Sequence, residues 1–281
     1  MLNDVAFGQY YPTQSFMHRL DPRIKILALI SIIVLLFCAS NFYSLALCAI
    51  VVIAAIASSR VPFKSVLRSV KAVMFILIFT AVLNLFFHKG SMLLVEWWII
   101  KIYLEGVIFS AFFVLRLFFI VMASAILTLT TTPVSLTDGI ESLLKPLTFI
   151  KFPVHELALI MSIALRFIPT LIDETNRIIA AQKARGADFE SGNIFKRIKA
   201  IVPILIPLLI SAFRRADELG DAMDARCYSG SKTRTKYKKL KFGVRDLVAL
   251  IVIAALIAGV VLFNIYGEQI CPEIYQYLRI R

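Results

Sequence analysis

Only four cysteines and three histidines are scattered through the 281 residues. Cys38, Cys48, Cys227 and Cys271 form no CxxC pair and His18, His88 and His155 lie far apart, which indicates neither a disulfide framework nor a zinc site. Charge is also sparse, at 17% of residues. No Ser/His/Asp or Cys/His arrangement is suggested, and the carboxylates within apolar runs are too few for a proton relay. The expectation is a chain with no catalytic residues and no cofactor. A phosphate-binding loop is missing too, because GSKT at 230–233 lacks the Gly-Lys-Ser/Thr adjacency and the upstream glycine. A cleavable leader needs a basic start and an apolar run. Residues 1–23 are instead polar, with Asp4, His18, Arg19, Asp21 and Pro22, so the amino terminus reads as retained.

What is abundant is apolar surface. Hydrophobic residues make up 59% of the chain and the mean hydropathy is +0.83, well beyond a soluble domain. The reading is an all-α polytopic membrane protein with about five transmembrane helices, its partner being the lipid bilayer. Spans need about 20 mostly apolar residues. Residues 24–58 supply two, broken near Ala39–Phe42; 72–87 a third; 103–131 a fourth, carrying Arg116; and 243–266 the last. Three regions follow: 1–131 with four spans, a 132–241 block, and 242–281 with the last span and an outer tail.

The formal net charge of +13 is explained by topology, with no nucleic-acid partner expected. Lys and Arg concentrate in residues 1–25, in 59–71 and above all in 132–241, which holds eighteen of them. By the positive-inside rule the amino terminus and the large block face the cytoplasm and the carboxyl end faces out. Within the block, LALIMSIALRFIPTLI at 157–172 and IVPILIPLLISAF at 201–213 are interrupted by Arg166 and Pro169 and by Pro203 and Pro207. They read as bent helices at or just below the membrane surface, with a hairpin of two further spans as the alternative.

The block presents Ala-Arg twice, in AQKARGADF at 181–189 and AMDARCYSG at 222–230. Residues 170–186 carry Leu171, Ile172, Ile178 and Ile179 near the helical period, and Asp173 and Arg177 are placed for an i,i+4 pair. Gly186 follows Arg185 where a left-handed residue ends a helix. In the second copy Asp217, Glu218, Asp221 and Asp224 join Arg214 and Arg215 on a charged face before Ala225 and Arg226. Ala before Arg leaves little bulk, and the guanidinium fork suits a carboxylate. Such a tip fits an acidic groove, and two tips suggest the two sockets of an ABC-type ATPase dimer; the alternative is an arginine that caps its own helix carbonyls.

Elsewhere, Arg116 lies at membrane depth and is read as packing or snorkelling, with a substrate path as the alternative. Asn84 suggests a helix–helix hydrogen bond. His18, Asp21 and Pro22 read as a helix start. Trp97, Trp98 and Tyr103 fit an aromatic belt at the outer interface.

Four stretches, SFMHRLDPRIK at 15–25, TTTPVSLTDGIESLLKPL at 130–147, ALRFIPTLIDETNRIIAAQKARGADF at 164–189 and IVPILIPLLISAFRRADELGDAMDARCY at 201–228, together resemble the transmembrane coupling (T) component, EcfT, of energy-coupling factor (ECF) transporters. The resemblance implies a cytoplasmic-side block of coupling helices and a non-enzymatic subunit. It implies two partner ABC ATPase subunits that hydrolyse ATP and a small substrate-capture (S) membrane protein for a vitamin or metal ion. The family's motif arginines, docking in ATPase grooves, carry over to Arg185 and Arg226, with Ala184, Gly186 and Ala225 as small neighbours. Cys227 stands where the family pattern has Gly. The left-handed stop is therefore expected to move to Ser229-Gly230, and Cys227 is expected to be a packed, inert thiol. The alternative reading is an ABC-type permease that binds its own solute through Arg116 and Asn84.

Overall fold

The computed structural model describes residues 10–87, 93–97, 100–187, 194–228, 230 and 242–270. In chain order the helices are α1 (Pro22–Cys38), α2 (Phe42–Ser59), α3 (Phe63–Phe87), α4 (Leu104–Thr130), α5 (Pro133–Leu144), α6 (Val154–Ala184), α7 (Ile194–Asp224) and α8 (Val244–Ile270). A 3-10 turn, Lys145–Ile150, precedes α6. Between α3 and α4 lies a short antiparallel hairpin, β1 (Leu93–Trp97) and β2 (Ile100–Tyr103), with Trp97 opposite Ile100. The sequence reading did not anticipate this hairpin; Trp98 lies outside the described residues.

Contacts divide the chain into two units, one of residues 8–143 and 240–281, the other of 1–7 and 144–239. In the first unit α1, α2, α3, α4 and α8 pack as a bundle. Its largest apolar core joins Val52 and Ile56 of α2, Val66, Val70 and Leu77 of α3, and Met122, Ile126 and Leu129 of α4. A second core joins Leu35 and Leu36 to Cys48, Leu256 and Val260. Two close approaches set these packings. A Cβ on Gly139 of α5 would lie 3.0 Å from Pro22 Cβ, and one on Gly259 of α8 would lie 2.7 Å from a methyl of Leu47.

Five described helices are long and apolar enough to cross a membrane: α2, α3, α4, α6 and α8 over Val244–Tyr266. The total matches the sequence reading but the membership differs. At 17 residues α1 is about 25 Å long, at the short end of the spanning range. In its place stands α6, a continuous 31-residue helix that carries Pro169 inside it. The run that Pro169 interrupts in the sequence is held within one helix: a proline removes one backbone hydrogen bond, and the rest of the helix holds through it. α7 likewise continues through Pro203 and Pro207. The third span also starts earlier than expected, at Phe63. The connection was read as basic linker, but Lys64, Arg68 and Lys71 fall on one exposed helix face while Val66 and Val70 turn inward.

Polar groups tie the two ends of α1. At its start Asp21 is the N-cap, accepting from Arg23 N at 2.9 Å, and Pro22 occupies the first helical position. The buried carboxylate of Asp246 accepts from Asp21 N at 2.8 Å and from Gly243 N at 2.8 Å, so one side chain serves two helix starts. Lys25 donates to Thr130 O at 2.9 Å and Thr131 Oγ1 at 3.2 Å, joining α1 to the end of α4. At the far end Asn264 Nδ2 donates to Cys38 O at 2.9 Å, while Ser40 and Ser44 donate to Asn264 Oδ1.

Candidate functional site: two helix tips

In the other unit α6 packs on α7. Their shared clamp is Glu174 of α6, which accepts from Ser211 Oγ and pairs with Arg215 of α7 at 2.6 Å. The expected local pair of Asp173 with Arg177 does not form among the described residues. Asp173 and Arg177 are exposed, whereas Glu174 and Ser211 are half-buried, so the ionic contact sits where the helices meet. From Glu174 to Arg185 is eleven residues, and from Arg215 to Arg226 is eleven as well. Each tip is therefore about 16 Å along its helix from the same clamp.

The two tips end in the same way. At the first, Gly186 takes φ 87° and donates to Lys183 O at 3.0 Å, while Ala187 N donates to Gln182 O at 3.0 Å. At the second, Cys227 takes φ 58° and donates to Asp224 O at 2.9 Å, while Tyr228 N donates to Met223 O at 3.0 Å. Both are Schellman endings, in which backbone amides satisfy the last carbonyls. The expectation that the stop moves to Ser229-Gly230 is corrected. Gly230 is also left-handed, at φ 62°, but the helix has already ended at Cys227, and Ser229 lies outside the described residues. The motif fixes the stop one residue after the arginine, so the thiol residue adopts a conformation that costs an L-residue about 1 kcal/mol.

This geometry bears on the arginines. The carbonyls they were offered as capping are already occupied by backbone amides, and no side-chain bond to Arg185 or Arg226 is formed among the described residues. Ala184, Arg185, Gly186, Ala225, Arg226 and Cys227 are all exposed. Cys227 is thus a free, exposed thiol, correcting the packed one expected. A Cβ on Gly186 would meet nothing within 4 Å, so its glycine serves backbone conformation alone. Each tip offers a fork of five donors beside small neighbours.

The residues suspected of holding a solute are otherwise engaged. Arg116 Nη2 donates to Ala39 O at 2.5 Å and its guanidinium lies 4.8 Å from the Phe112 ring centroid, locking α4 to the turn between α1 and α2. Asn84 Nδ2 bonds Thr80 O of its own helix at 2.8 Å, not a neighbouring helix as expected. The α3–α4 hydrogen bond comes from Ser110 Oγ to Ala81 O, at 2.9 Å. Sequence reasoning missed the Glu174–Arg215 pair, although its members lie 41 positions apart, the same offset that separates the arginines.

A helical membrane bundle joined in one chain to a pair of braced helices with matching exposed tips makes this an all-α polytopic membrane protein. The family described as cobalt transport protein matches residues 13–237. The energy-coupling factor transporter transmembrane protein EcfT of Clostridium kluyveri is 47% identical over 267 residues, covering 95% of this chain and 99% of that one. Those of Ruminiclostridium cellulolyticum and Bacillus subtilis are each 44% identical, over 94% and 92% of this chain and 98% of either relative. The chain belongs to the EcfT family and is a transmembrane component of an ECF transporter.

Proposed function

We propose that this subunit transmits ATP-driven motion from two ABC ATPases to a separate small substrate-capture membrane protein that takes up a vitamin or metal ion. ATP hydrolysis belongs to the partners. The carrying observation is that Arg185 and Arg226 project from two identically terminated helix ends, unspent on their own carbonyls, at equal distances from one inter-helix clamp. Each guanidinium docks in a carboxylate-bearing groove of one ATPase, and Ala184, Gly186, Ala225 and Cys227 leave room for close backbone approach. The amino terminus and the 132–241 block face the cytoplasm, as the Lys and Arg distribution supports. The engagement of Arg116 by Ala39 O and Phe112 favours this reading over a permease with its own solute pocket.

A mild-detergent pull-down of the tagged chain from native membranes tests the proposal. Two ABC ATPases and a small hydrophobic protein are expected with the native chain. Arg185→Ala combined with Arg226→Ala is expected to insert normally, lose the ATPases and abolish ATP-driven uptake. Retention of the ATPases with full uptake would overturn it.

A further inference from the structure

Helices α2 and α8 hold each other at one end and leave a slot at the other. Their contact joins Cys48 of α2 to Leu256 and Val260 of α8, with Gly259 pressed against Leu47. Toward the end of α2 and the start of α8 lies a cavity of about 360 Å³, walled also by α1 and α4. Ile24, Val52 and Ile126 are buried in its floor. Its exposed lining on the helices is Ile50 and Ala54 of α2 and Val248 and Val252 of α8, so it opens sideways between those two.

Both helices are long and apolar enough to cross a membrane, which sets the opening at hydrocarbon depth. An apolar cavity stays dry, and left empty it forfeits dispersion contacts along its lining. Its volume is that of a small-ligand site. A helix is about 10–12 Å across, and its entry would break the contact of α2 with α8. A hydrocarbon tail enters without moving either helix, and from Ile50 to Ser58 the slot offers it about 12 Å along α2.

The slot is polar at one end only. Lys25, Ser58 and Thr130 line it where α1 begins and α2 and α4 finish. Lys25 is 8% exposed, and its ammonium gives two of its three donors to Thr130 O and Thr131 Oγ1. The third has no partner among the described residues. The buried carboxylates at this end, Asp21 and Asp246, accept from backbone amides. Just past the slot stand Arg60, directly after α2, and Arg245, in the first turn of α8, both exposed. An apolar slot, an unspent donor at its end and two cations beyond it match, in that order, a fatty chain, its ester carbonyl and a phosphate.

We propose that the slot holds one acyl chain of an anionic glycerophospholipid, its ester carbonyl accepting from Lys25 and its phosphate at Arg60 and Arg245. The site is independent of the helix tips and of whatever binds Arg185 and Arg226.

The test uses the full chain in its native assembly, reconstituted in phosphatidylcholine vesicles. The probe is a trace of phosphatidylglycerol with a photo-activatable diazirine on one acyl chain, and labelled residues are mapped by mass spectrometry. Labelling at Phe75 and Phe79, exposed on α3, reports bulk lipid, whereas labelling at the buried Val52 and Ile126 reports entry into the slot. The floor should be labelled at least as strongly as α3. Ala54→Phe and, from the opposite wall, Ala249→Phe fill the slot and should each cut floor labelling about tenfold. Labelling of α3 should stay unchanged in both, which also shows that the bundle has folded. Arg60→Gln with Arg245→Gln should lower floor labelling by this probe about tenfold and leave that by the matching phosphatidylcholine probe unchanged. Floor labelling no stronger than in the filled variants overturns the proposal, as does a cross-link from the floor to a second polypeptide. Equal floor labelling by the two probes overturns the anionic headgroup.

Discussion

The Arg185 and Arg226 tips differ in two respects against a common backbone. One is the left-handed residue after the arginine, Gly186 in the first and Cys227 in the second, at φ 87° and 58°. The other is the sign of the last turns. Backbone hydrogen bonding alone dictates the shape of the ending, so glycine is convenient but not required. Side chains decide what the ending recognises.

Charge reversal at the tips gives the largest expected effect. On the proposed docking, Arg185→Glu or Arg226→Glu sets like charges together in a desolvated socket, a loss of about 2–5 kcal/mol. ATPase recovery on pull-down should therefore fall by at least about thirtyfold in either variant, more than for the Ala substitution. If one reversal is tolerated and the other is not, the tips are unequal in importance as well as in charge.

The left-handed positions come next. Gly186→Ala forces a Cβ into a left-handed conformation with open space around it, which should destabilise that ending by about 1 kcal/mol. Cys227→Gly should do the reverse and stabilise the second ending by a similar amount. Protection of the amides of Ala187 and Tyr228 in hydrogen exchange reads both, and opposite shifts are expected. Cys227→Gly should also abolish labelling by a polar maleimide at that tip, since the native thiol is exposed.

The clamp carries the smallest energy and the clearest symmetry test. Glu174 and Arg215 keep side-chain exposures of 24% and 35%, so the pair contributes only about 0.5 kcal/mol. Glu174→Gln should nonetheless broaden the distance distribution between spin labels at positions 181 and 222, measured with the native cysteines replaced. Exchanging the charges, Glu174→Arg with Arg215→Glu, should narrow it again. An unchanged width in Glu174→Gln would mean that apolar packing alone fixes the tips.

Much of this was legible in the chain. Apolar runs located α2, α4 and α8, Asp21-Pro22 marked the start of α1, and the repeated Ala-Arg marked both tips, because these signals are local. The misreadings came from treating local signals as final. Asn84 looked available to a neighbour but found Thr80 O within its own helix. Cys227 looked like a poor helix stop, yet the hydrogen bonds from its amide and that of Tyr228 hold it there.

By itself the sequence determined the membrane class and the existence of two arginine-bearing helix ends. Hydropathy, charge and helix stops are properties of neighbouring residues. Only the tertiary structure decided that Asp246 would serve Asp21 across 225 positions, that Arg116 would bond Ala39 O, and that Glu174 would meet Arg215 where the two helices pack. Those pairings depend on which helix faces approach within hydrogen-bond distance, and no spacing along one chain segment specifies that.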